Sequence, residues 1–454
     1  MTHQLLFHST NGQAPPVSLQ GALMAGLAPD RGLYMPERFP RFAPETIAAF
    51  AGKPYPEIAF EVLSAYAEGV LEKGRLRALC EDAYDYEVPL ERVRDRTHVM
   101  RLDRGPTGSF KDFAARMMAR LLGQFVREEG RTLTILVATS GDTGSAVASA
   151  FSGVAGIRVL VLFPVKEVSE LQRKQMTTLS GNIRTIALDG KFDDCQALVK
   201  RAFADPDLAG LSLSSANSIN IGRLLPQSVY YFYAASRLAE PGEPIVITVP
   251  SGNFGNMMGA VIAGQMGLPI RRLVVPTNAN DEFPRFLATE RYCKIEPSRA
   301  CISNAMNVGH PSNLARLVAV YGGWMDEQGR LHHAPDFEAM RRDLFSTSVS
   351  DEATRATIKQ AWAEYKLLLE PHGAVGWRGF LDYCEGEPLG DAPAVVLETA
   401  DPAKFPAEIQ KALGFLPEVP EKLAKLDGMK EDYDTLETDY AALKEYLLKK
   451  YSNG

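Results

Sequence analysis

The chain repeats one local plan along much of its length: a short apolar run, a loop of small or polar residues, and a pattern typical of a helix. "TLTILVATSGDTGSAVASAF" and "PIVITVPSGNFGNMMGAVIAGQ" follow this plan, and further apolar runs are "IRVLVLFP", "IRTIALDG", "RRLVVPTNAN" and "APAVVLETADPAKF". Short buried strands that alternate with helices predict an α/β fold with largely parallel sheets. Such sheets bind ligands at the carboxyl ends of their strands, so a functional site is expected among these loops.

Size and charge narrow the possible classes of function. The 454 residues predict two or three domains with ample core. A net charge of −7 argues against a nucleic-acid partner, which needs a basic surface, and no apolar run reaches the length of a membrane span. The opening residues do not form a secretion signal. Scattered cysteines without a CxxC pair predict neither a disulfide framework nor a zinc site, and they favour a reducing cytoplasm.

One lysine has an unusual setting. In "GPTGSFKDFAAR", Lys111 stands between Phe110 and Phe113, after a proline and two glycines and before a helical pattern. The default interpretation is an exposed lysine at a helix start, because lysine is usually a solvated surface charge. The setting instead favours a lysine that is held for chemistry.

Two loops that open helices are candidate anion sites. In "SGNFGN", Gly252 and Gly255 let the backbone approach an anion, and the N–H groups at the helix start favour negative charge. This pattern predicts a phosphate cradle, with an ordinary strand-to-helix turn as the alternative. In "ATSGDTGSA", the small polar side chains suit a carboxylate, with N-capping by Asp142 or Ser140 as the alternative.

Two further segments are polar where a ligand would bind. "SSANSINIGR" contains Asn217, Ser218, Asn220 and Arg223, which could bind a second anion, or could form a turn that caps the next helix. Thr399 ends an apolar strand, where its hydroxyl could bond a ring nitrogen or merely be satisfied at the strand end. A lysine, a phosphate cradle and such a hydroxyl are what pyridoxal phosphate requires, because lysine forms a Schiff base with this electron sink.

The motifs together resemble those of the threonine synthases, which are fold type II pyridoxal phosphate enzymes with a tryptophan synthase β-like architecture. "GPTGSFKDFA", "ATSGDTG", "SANSINIGRLLPQSVYYF", "PSGNFGN", "PHGAVG" and "TADPAKF" occur in the order found in that family. The opening "STNGQAPPVSLQGALMAGLAPDRGLYMPE" resembles the family's separate N-terminal domain. Two positions depart from the common pattern: Asp401 stands where many relatives have His, and Glu370 stands where Asp is common.

The resemblance implies two open, mostly parallel-sheet domains and a family-specific N-terminal domain. We predict an N-terminal domain over 1–95, a small α/β domain over 131–240 and a helical C-terminal extension over 411–454. The large cofactor-binding domain is predicted to combine 96–130 with 241–410. The last helix is expected to pack on the surface, with partner binding as the alternative.

The resemblance also implies a role for each candidate residue. Lys111 would form the Schiff base and then, once the substrate has displaced it, move protons. Thr399 would contact the ring nitrogen, and Asp142 the cofactor near its ring hydroxyl. The cofactor phosphate would be held by Gly252, Asn253, Phe254, Gly255 and Asn256. The substrate carboxylate would be held by Ser140, Gly141 and Thr143, and the substrate phosphate by Asn217, Ser218, Asn220, Arg223 and Lys174.

The implied reaction converts O-phospho-L-homoserine and water to L-threonine and phosphate by β,γ-replacement, the last step of threonine biosynthesis. No metal is expected, and a monomer and a homodimer both stay open. One alternative is a related dehydratase or phospho-lyase, since "GSFK" also resembles the dehydratase motif. A catalytically silent protein that binds the same ligands is a second alternative.

Overall fold

A computed structural model describes residues 4–451 of the chain. The N-terminal segment combines a pair of antiparallel strands with helices that pack beside them. The turn-rich sequence around "LYMP" contains the second of these strands. The elements are β1 (Phe7–Ser9), α1 (Leu19–Ala25), β2 (Tyr34–Pro36), α2 (Pro44–Ala48), α3 (Tyr55–Ala67) and α4 (Lys73–Ala83).

The middle of the chain alternates strands and helices, as the apolar runs predict. Its first half comprises β3 (Leu90–Arg94), β4 (Thr97–Arg101), α5 (Lys111–Glu129), β5 (Leu133–Ala138), α6 (Asp142–Phe151), β6 (Ile157–Pro164), α7 (Glu170–Thr177), β7 (Ile183–Leu188), α8 (Phe192–Ala204), β8 (Leu213–Ser214) and α9 (Val229–Leu238). Its second half comprises β9 (Ile245–Thr248), α10 (Gly255–Gln265), β10 (Ile270–Val274), α11 (Glu282–Thr289), α12 (Leu314–Val320), β11 (Trp324–Met325), β12 (Leu331–His333), α13 (Phe337–Asp343), β13 (Leu344–Phe345), α14 (Asp351–Tyr365), α15 (Pro371–Gly386) and β14 (Ala394–Glu398). The C-terminal segment adds α16 (Pro406–Leu413), α17 (Glu421–Ala424), β15 (Asp434–Leu436) and α18 (Tyr440–Tyr451).

Two open sheets organise residues 4–451. The larger has six strands in the order β13-β10-β9-β14-β4-β3, in which β3 pairs antiparallel with β4 and the other neighbours are parallel. The smaller has five parallel strands in the order β15-β7-β6-β5-β8. The predicted α/β class is therefore confirmed, and each of the six apolar runs forms a strand.

The central strands of the smaller sheet, β5, β6 and β7, are largely buried on both faces. Every residue of β5 is buried, and successive side chains of a strand point to opposite faces. Ile135 and Val137 pack in the main core, whereas Leu136 packs in a second core with Leu443 and Leu447 of α18. Burial on both faces explains why these strands are continuous apolar runs and not alternating patterns.

The C-terminal segment is more than the expected helical extension. It contains β15, which pairs in parallel with β7 and forms an edge of the smaller sheet. The strand has three residues, of which two are exposed, so it carries no apolar signal in the sequence. The apolar side of α18 packs on the protein's own second core, as expected for a terminal helix on the surface.

The same segment bridges the two sheets. Lys422 Nζ donates to the carbonyl of Gly105 at 2.6 Å, ahead of α5. Glu431 then forms a two-pronged ion pair with Arg173 of α7, at 2.8 and 2.9 Å.

Within residues 4–451 no helix has both the length and the apolar character needed to cross a membrane.

Candidate active site

Lys111 is the first residue of α5, and the loop before it is held against the end of β14. The Phe110 N–H donates to the carbonyl of Thr399 at 2.9 Å, and the Asp401 N–H donates to the carbonyl of Gly108 at 2.9 Å. These bonds bring the predicted lysine and the predicted strand-end hydroxyl to the same edge of the larger sheet.

Asp112 makes the loop before Lys111 rigid. Its carboxylate accepts from the backbone N–H and from the hydroxyl of Thr107, both at 2.8 Å. A Cβ on Gly105 would lie 2.5 Å from an Asp112 oxygen, so glycine is needed there. Burial raises the pKa of Asp112. The lysine thus starts its helix from a fixed position.

Lys111 faces a buried ion pair. Its Nζ lies 4.0 Å from Asp142 Oδ2, and the Nζ of Lys404 lies 2.7 Å from Asp142 Oδ1. Burial lowers the pKa of Lys111 to about 8, against the opposing charge of Asp142 and with the help of Lys404 and Arg223. Burial alone would raise the pKa of Asp142, but the charges of Lys404 and Lys111 hold it well below its usual range. The site therefore combines a lysine poised to lose its proton with a carboxylate fixed as an anion.

The loop that opens α6 is capped by a residue outside the predicted set. Thr139 Oγ1 accepts from the N–H groups of Gly141 and Gly144, at 2.9 and 2.7 Å. Capping by Asp142 or Ser140, the alternative interpretation, is therefore not how this helix starts. Among residues 4–451, the backbone N–H groups of Ser140, Asp142 and Thr143 find no acceptor, so the loop can still offer them to a carboxylate.

The loop that opens α10 presents a row of free donors. Within the described part of the chain, no acceptor pairs with the backbone N–H groups of residues 252–256. Phe254 has a left-handed φ of 62°, which turns the chain sharply into the helix. A Cβ on Gly252 would lie 2.9 Å from the carbonyl oxygen of Ala305, and one on Gly255 would lie 3.0 Å from Ser218 Cβ. The loop is a close-packed cradle of N–H groups at a helix N-terminus, which favours an anion.

Asn313 anchors this cradle from outside. Its Nδ2 donates to the carbonyl of Asn253 at 2.8 Å and to Ser218 Oγ at 3.1 Å. The Asn253 side chain accepts from the N–H of Ser312 at 3.0 Å. The predicted phosphate residues Asn253 and Ser218 are thereby brought together.

The segment 214–223 divides into structural and available groups. The Asn217 amide donates to the carbonyl of Ala138 at 2.9 Å, and the Asn220 amide donates to the carbonyls of Leu23 and Ser215, both at 2.9 Å. These two amides hold the loop in place. Arg223 is 3% exposed and donates to a backbone carbonyl through Nη1, whereas its buried Nε lacks a partner among residues 4–451. Burial lowers the pKa of Arg223 to about 10.

Lys174 differs from the other predicted site residues. Its Nζ lies 2.8 Å from a Glu170 oxygen and 3.2 Å from an Asp427 oxygen. The ammonium group is thus committed to its own helix and to the C-terminal segment. Lys174 stays the least supported member of the predicted substrate site.

Glu370 and Asp401, the two departures from the common family pattern, both cap short turns or helices. Glu370 is fully buried, accepts from two N–H groups at the start of α15, and lies 2.5 Å from His372 Nδ1. Its other oxygen accepts from Thr399 Oγ1 at 3.4 Å. Asp401 accepts from the N–H of Ala403 at 2.9 Å, and burial raises its pKa.

Sequence reasoning missed Lys404 as a site residue. Its side chain is fully buried, and its Nζ also donates to the carbonyl of Thr107 at 2.9 Å. Gln172 is a second omission, because its Nε2 donates to Asp142 at 3.0 Å. Lys404 stands in "TADPAKF" among small and apolar residues, and a lysine that is buried is almost always paired. The small and apolar neighbours of Lys404 were therefore the sequence signal that could have identified it as a site residue.

These residues fit pyridoxal phosphate. The cradle at 252–256 matches a phosphate, because its backbone N–H groups at a helix start find no acceptor among residues 4–451. The amine of Lys111 has a depressed pKa, as a lysine that attacks an aldehyde needs. Thr399 supplies an uncharged hydroxyl at the same sheet edge.

Comparison with known families gives three matches along the chain. The family of pyridoxal-phosphate dependent enzymes matches residues 88–399. The threonine synthase N terminus matches residues 6–84, and the threonine synthase C-terminal family matches residues 373–447. The matches together account for nearly all of the described residues.

Full-length relatives agree with these matches. The threonine synthase of Haemophilus influenzae is 40% identical over 437 residues, which is 95% of this chain and 97% of the relative. The crystal structure of threonine synthase from Brucella melitensis with bound pyridoxal phosphate has a TM-score of 0.90 at 36% identity, and covers 99% of this chain and 100% of that one. Threonine synthase from Escherichia coli gives a TM-score of 0.88 at 34% identity, with 98% and 99% covered. On these grounds the chain belongs to the threonine synthases, pyridoxal phosphate-dependent enzymes of fold type II.

Proposed function

We propose that this threonine synthase acts on O-phospho-L-homoserine and water, releasing L-threonine and phosphate, and that the reaction takes place at Lys111. The observation that carries the proposal is the position of the Lys111 amine, 4.0 Å from Asp142 and close enough to Arg223 for that charge to lower its pKa. Within the described chain, Ser140, Asp142 and Thr143 offer free N–H groups, as do residues 252–256, and Arg223 adds a buried guanidinium. A substrate with a carboxylate and a phosphate, beside a cofactor with its own phosphate, needs three such sites.

Pyridoxal phosphate, when bound, accepts the electrons released as the substrate loses protons. In our proposal the N–H groups of residues 252–256 hold its phosphate, and the hydroxyl of Thr399 takes its ring nitrogen. Lys111 is the residue that attaches the cofactor. Asp142 lies beside Lys111 and would face the ring hydroxyl.

Lys111 Nζ is the group that moves protons. With a pKa of about 8, a useful fraction of the amine is neutral near neutral pH and can take the proton from the substrate α-carbon. The same nitrogen returns a proton to that carbon at the end of the reaction. Asp142 would compete for this proton if its charge were free, but Lys404 already pairs with it at 2.7 Å.

The substrate is held at both ends. Ser140 and Thr143 would bind its carboxylate through backbone N–H groups that find no acceptor among residues 4–451. The N–H of the predicted Gly141 donates to Thr139 Oγ1 at 2.9 Å, so Gly141 would line the carboxylate site without donating to it. Arg223 and Ser218 would bind its phosphate. Asn217 and Asn220 support that loop through backbone bonds, and Lys174 would reach the phosphate only after releasing Glu170 and Asp427.

Product analysis tests the proposal. The purified, cofactor-loaded protein is mixed with O-phospho-L-homoserine, and phosphate and threonine are measured together; we expect them in equal amounts. Formation of 2-ketobutyrate from threonine at a comparable rate would favour the dehydratase alternative. Ligand binding without either product would favour a silent binding protein.

We place the enzyme in the cytoplasm, in line with its scattered cysteines. The assay is therefore done in reducing buffer.

A further inference from the structure

The side chain of Asn256 has one satisfied end and one unsatisfied end. It is 5% exposed, and its Oδ1 accepts from the hydroxyls of Tyr230 and Tyr231 at 2.5 and 2.6 Å. Its buried Nδ2 has no partner among the described residues. Leaving a buried donor unpaired is costly, so an acceptor is expected to complete this site.

The unsatisfied amide belongs to the cradle at residues 252–256. Asn256 contributes one of the free backbone N–H groups of that loop, and its amide oxygen is turned toward α9. The amide nitrogen therefore faces away from the two tyrosines. We propose that Tyr230 and Tyr231 are positioning residues that fix the Asn256 amide with its N–H₂ toward a phosphate bound in the cradle. This proposal rests on the proposed cofactor site. It gives a role to Tyr230 and Tyr231, which are not among the site residues predicted from the sequence.

The tyrosine rings are held so that their hydroxyls cannot turn away. Tyr230 and Tyr231 are both fully buried, with ring centroids 4.7 Å apart. Tyr230 also packs edge-on against Phe113 of α5 at 5.4 Å, two residues after the lysine, and Phe113 packs against Tyr55 of α3 at 5.4 Å. The N-terminal segment, the lysine helix and the phosphate loop thus meet at one aromatic cluster.

Close packing of the backbone brings the tyrosines within reach. A Cβ on Gly259 of α10 would lie 2.9 Å from the backbone carbon of Gln227, so glycine lets the chain just before α9 approach α10. The Tyr231 hydroxyl also lies 3.0 Å from the backbone carbonyl oxygen of Asn256, so its one proton is shared between that oxygen and Oδ1. Gln227 lies 3.3 Å from the Tyr230 hydroxyl and donates to the carbonyl of Arg223.

The side-chain amide of Asn256 has a second possible orientation, so its orientation has to be held for the nitrogen to face the phosphate. If the Asn256 amide flipped, each tyrosine hydroxyl could accept from Nδ2, because a phenol both donates and accepts. Tyr230 would then donate to Gln227, and Oδ1 would face the bound phosphate and repel it. A phosphate can only accept, so Nδ2 faces it in the orientation in which both tyrosine hydroxyls donate to Oδ1.

The test uses the double variant Tyr230→Phe/Tyr231→Phe, which removes both hydroxyls and keeps both rings. The affinity of the apoprotein for pyridoxal phosphate is measured by fluorescence titration, and we expect it to fall about ten-fold, the equivalent of 1.4 kcal/mol. Affinity for pyridoxal, which lacks the phosphate, is expected to stay unchanged. A loss of structure alone would weaken both ligands together.

Tyr55→Phe is the matched control. It removes a buried hydroxyl from the same aromatic cluster, one without a hydrogen-bond partner in the described chain, and is expected to bind pyridoxal phosphate like the wild type. Equal affinity of the double variant and this control would overturn the proposal, as would an equal loss for pyridoxal. If the double variant does not fold, Asn256→Ala and the two single tyrosine variants decide by the same pair of titrations.

The outcome is separable from that of the proposed function. A wild-type protein that binds pyridoxal phosphate but makes no threonine would refute the substrate assignment and leave the titrations valid. A wild-type protein that binds pyridoxal as tightly as pyridoxal phosphate would refute the cradle, and with it the tyrosine proposal.

Discussion

The loops that open α6 and α10 share a backbone plan and differ in charge. Each follows a buried parallel strand and, at a helix start, offers N–H groups that no acceptor in residues 4–451 pairs with. Residues 252–256 contain no ionisable side chain. The α6 loop contains Asp142, which is buried and paired with Lys404.

The α10 loop can only bind an anion, whereas the α6 loop also controls the charge beside Lys111. Donors at a helix N-terminus hold an anion at any pH near neutrality, which suits a phosphate that stays in place. A carboxylate in such a loop would repel an anion unless a cation neutralised it. Lys404 does so, and Asp142 can then lie 4.0 Å from Lys111 without capturing its proton.

The largest expected effect comes from removing the lysine that both loops serve. Lys111→Ala should lower threonine formation about a thousand-fold or more, because both the attachment point and the proton carrier are lost. It should also abolish the visible absorbance of the lysine–cofactor link. Lys166→Ala, at an exposed lysine paired with Asp189, is the control. Wild-type turnover by Lys111→Ala would refute the assignment.

Breaking the pair in the α6 loop should have the next largest effect. Lys404→Met leaves Asp142 buried beside Lys111 alone, and loss of one partner of a buried pair costs about 3–5 kcal/mol of stability. The pKa of Lys111 should rise above about 8, since Lys404 now helps to lower it. Activity depends on the neutral amine, so the acid limb of the kcat/KM profile should move to higher pH.

A second variant isolates the charge effect of Lys404. Adding Asp142→Asn to Lys404→Met removes the uncompensated carboxylate, so the free energy of unfolding should recover in part while activity stays low. Denaturant unfolding and pH profiles of both variants measure this. An unshifted acid limb in Lys404→Met would show that Lys404 does not tune Lys111.

Filling the neutral cradle should have a smaller effect. Gly252→Ala places a Cβ 2.9 Å from Ala305 O and Met306 Cα, and such overpacking costs about 1–3 kcal/mol. The affinity for pyridoxal phosphate should fall about ten-fold, with little change in the pH profile. Gly210→Ala, where a Cβ meets nothing within 4 Å, is the control. Equal affinities in both variants would mean that the cradle tolerates a side chain.

The smallest expected effect separates capping from binding within the α6 loop. Thr139→Val removes the side-chain cap and should lower the free energy of unfolding by about 1 kcal/mol. Thr143→Val should instead raise KM for O-phospho-L-homoserine and leave unfolding nearly unchanged. Thermal unfolding and steady-state kinetics of the two variants are compared. The reverse pattern would exchange the two assignments.

Local sequence patterns predicted the strands and the loops that follow them. Each buried run of β5, β6 or β9 is continuous in sequence, and its loop must then lie at the carboxyl end of the sheet. The pattern around Gly252 likewise contains its whole cradle within a few consecutive residues. Features of this kind need no knowledge of distant segments.

Long-range contacts could not be predicted in the same way. Lys404 meets Asp142 only because the loop after β14 and the loop before α6, which follow strands of different sheets, come together in the fold. Thr139, and not Asp142, caps α6, and both residues suit the role by type. The amides of Asn217 and Asn220 look like ligands in sequence, but bond to backbone carbonyls.

The pairing of β15 with β7 also determines when, during synthesis, the fold around the site can be completed. β7 (Ile183–Leu188) is made long before its partner β15 (Asp434–Leu436), which follows every other strand of the smaller sheet in chain order. Until then β7 exposes an unpaired edge, on which other chains could add a strand. Lys422, which holds the backbone ahead of Lys111, also emerges late. A nascent chain therefore has a nearly complete fold on which the C-terminal segment has not yet packed. Aggregation competes with folding during that interval.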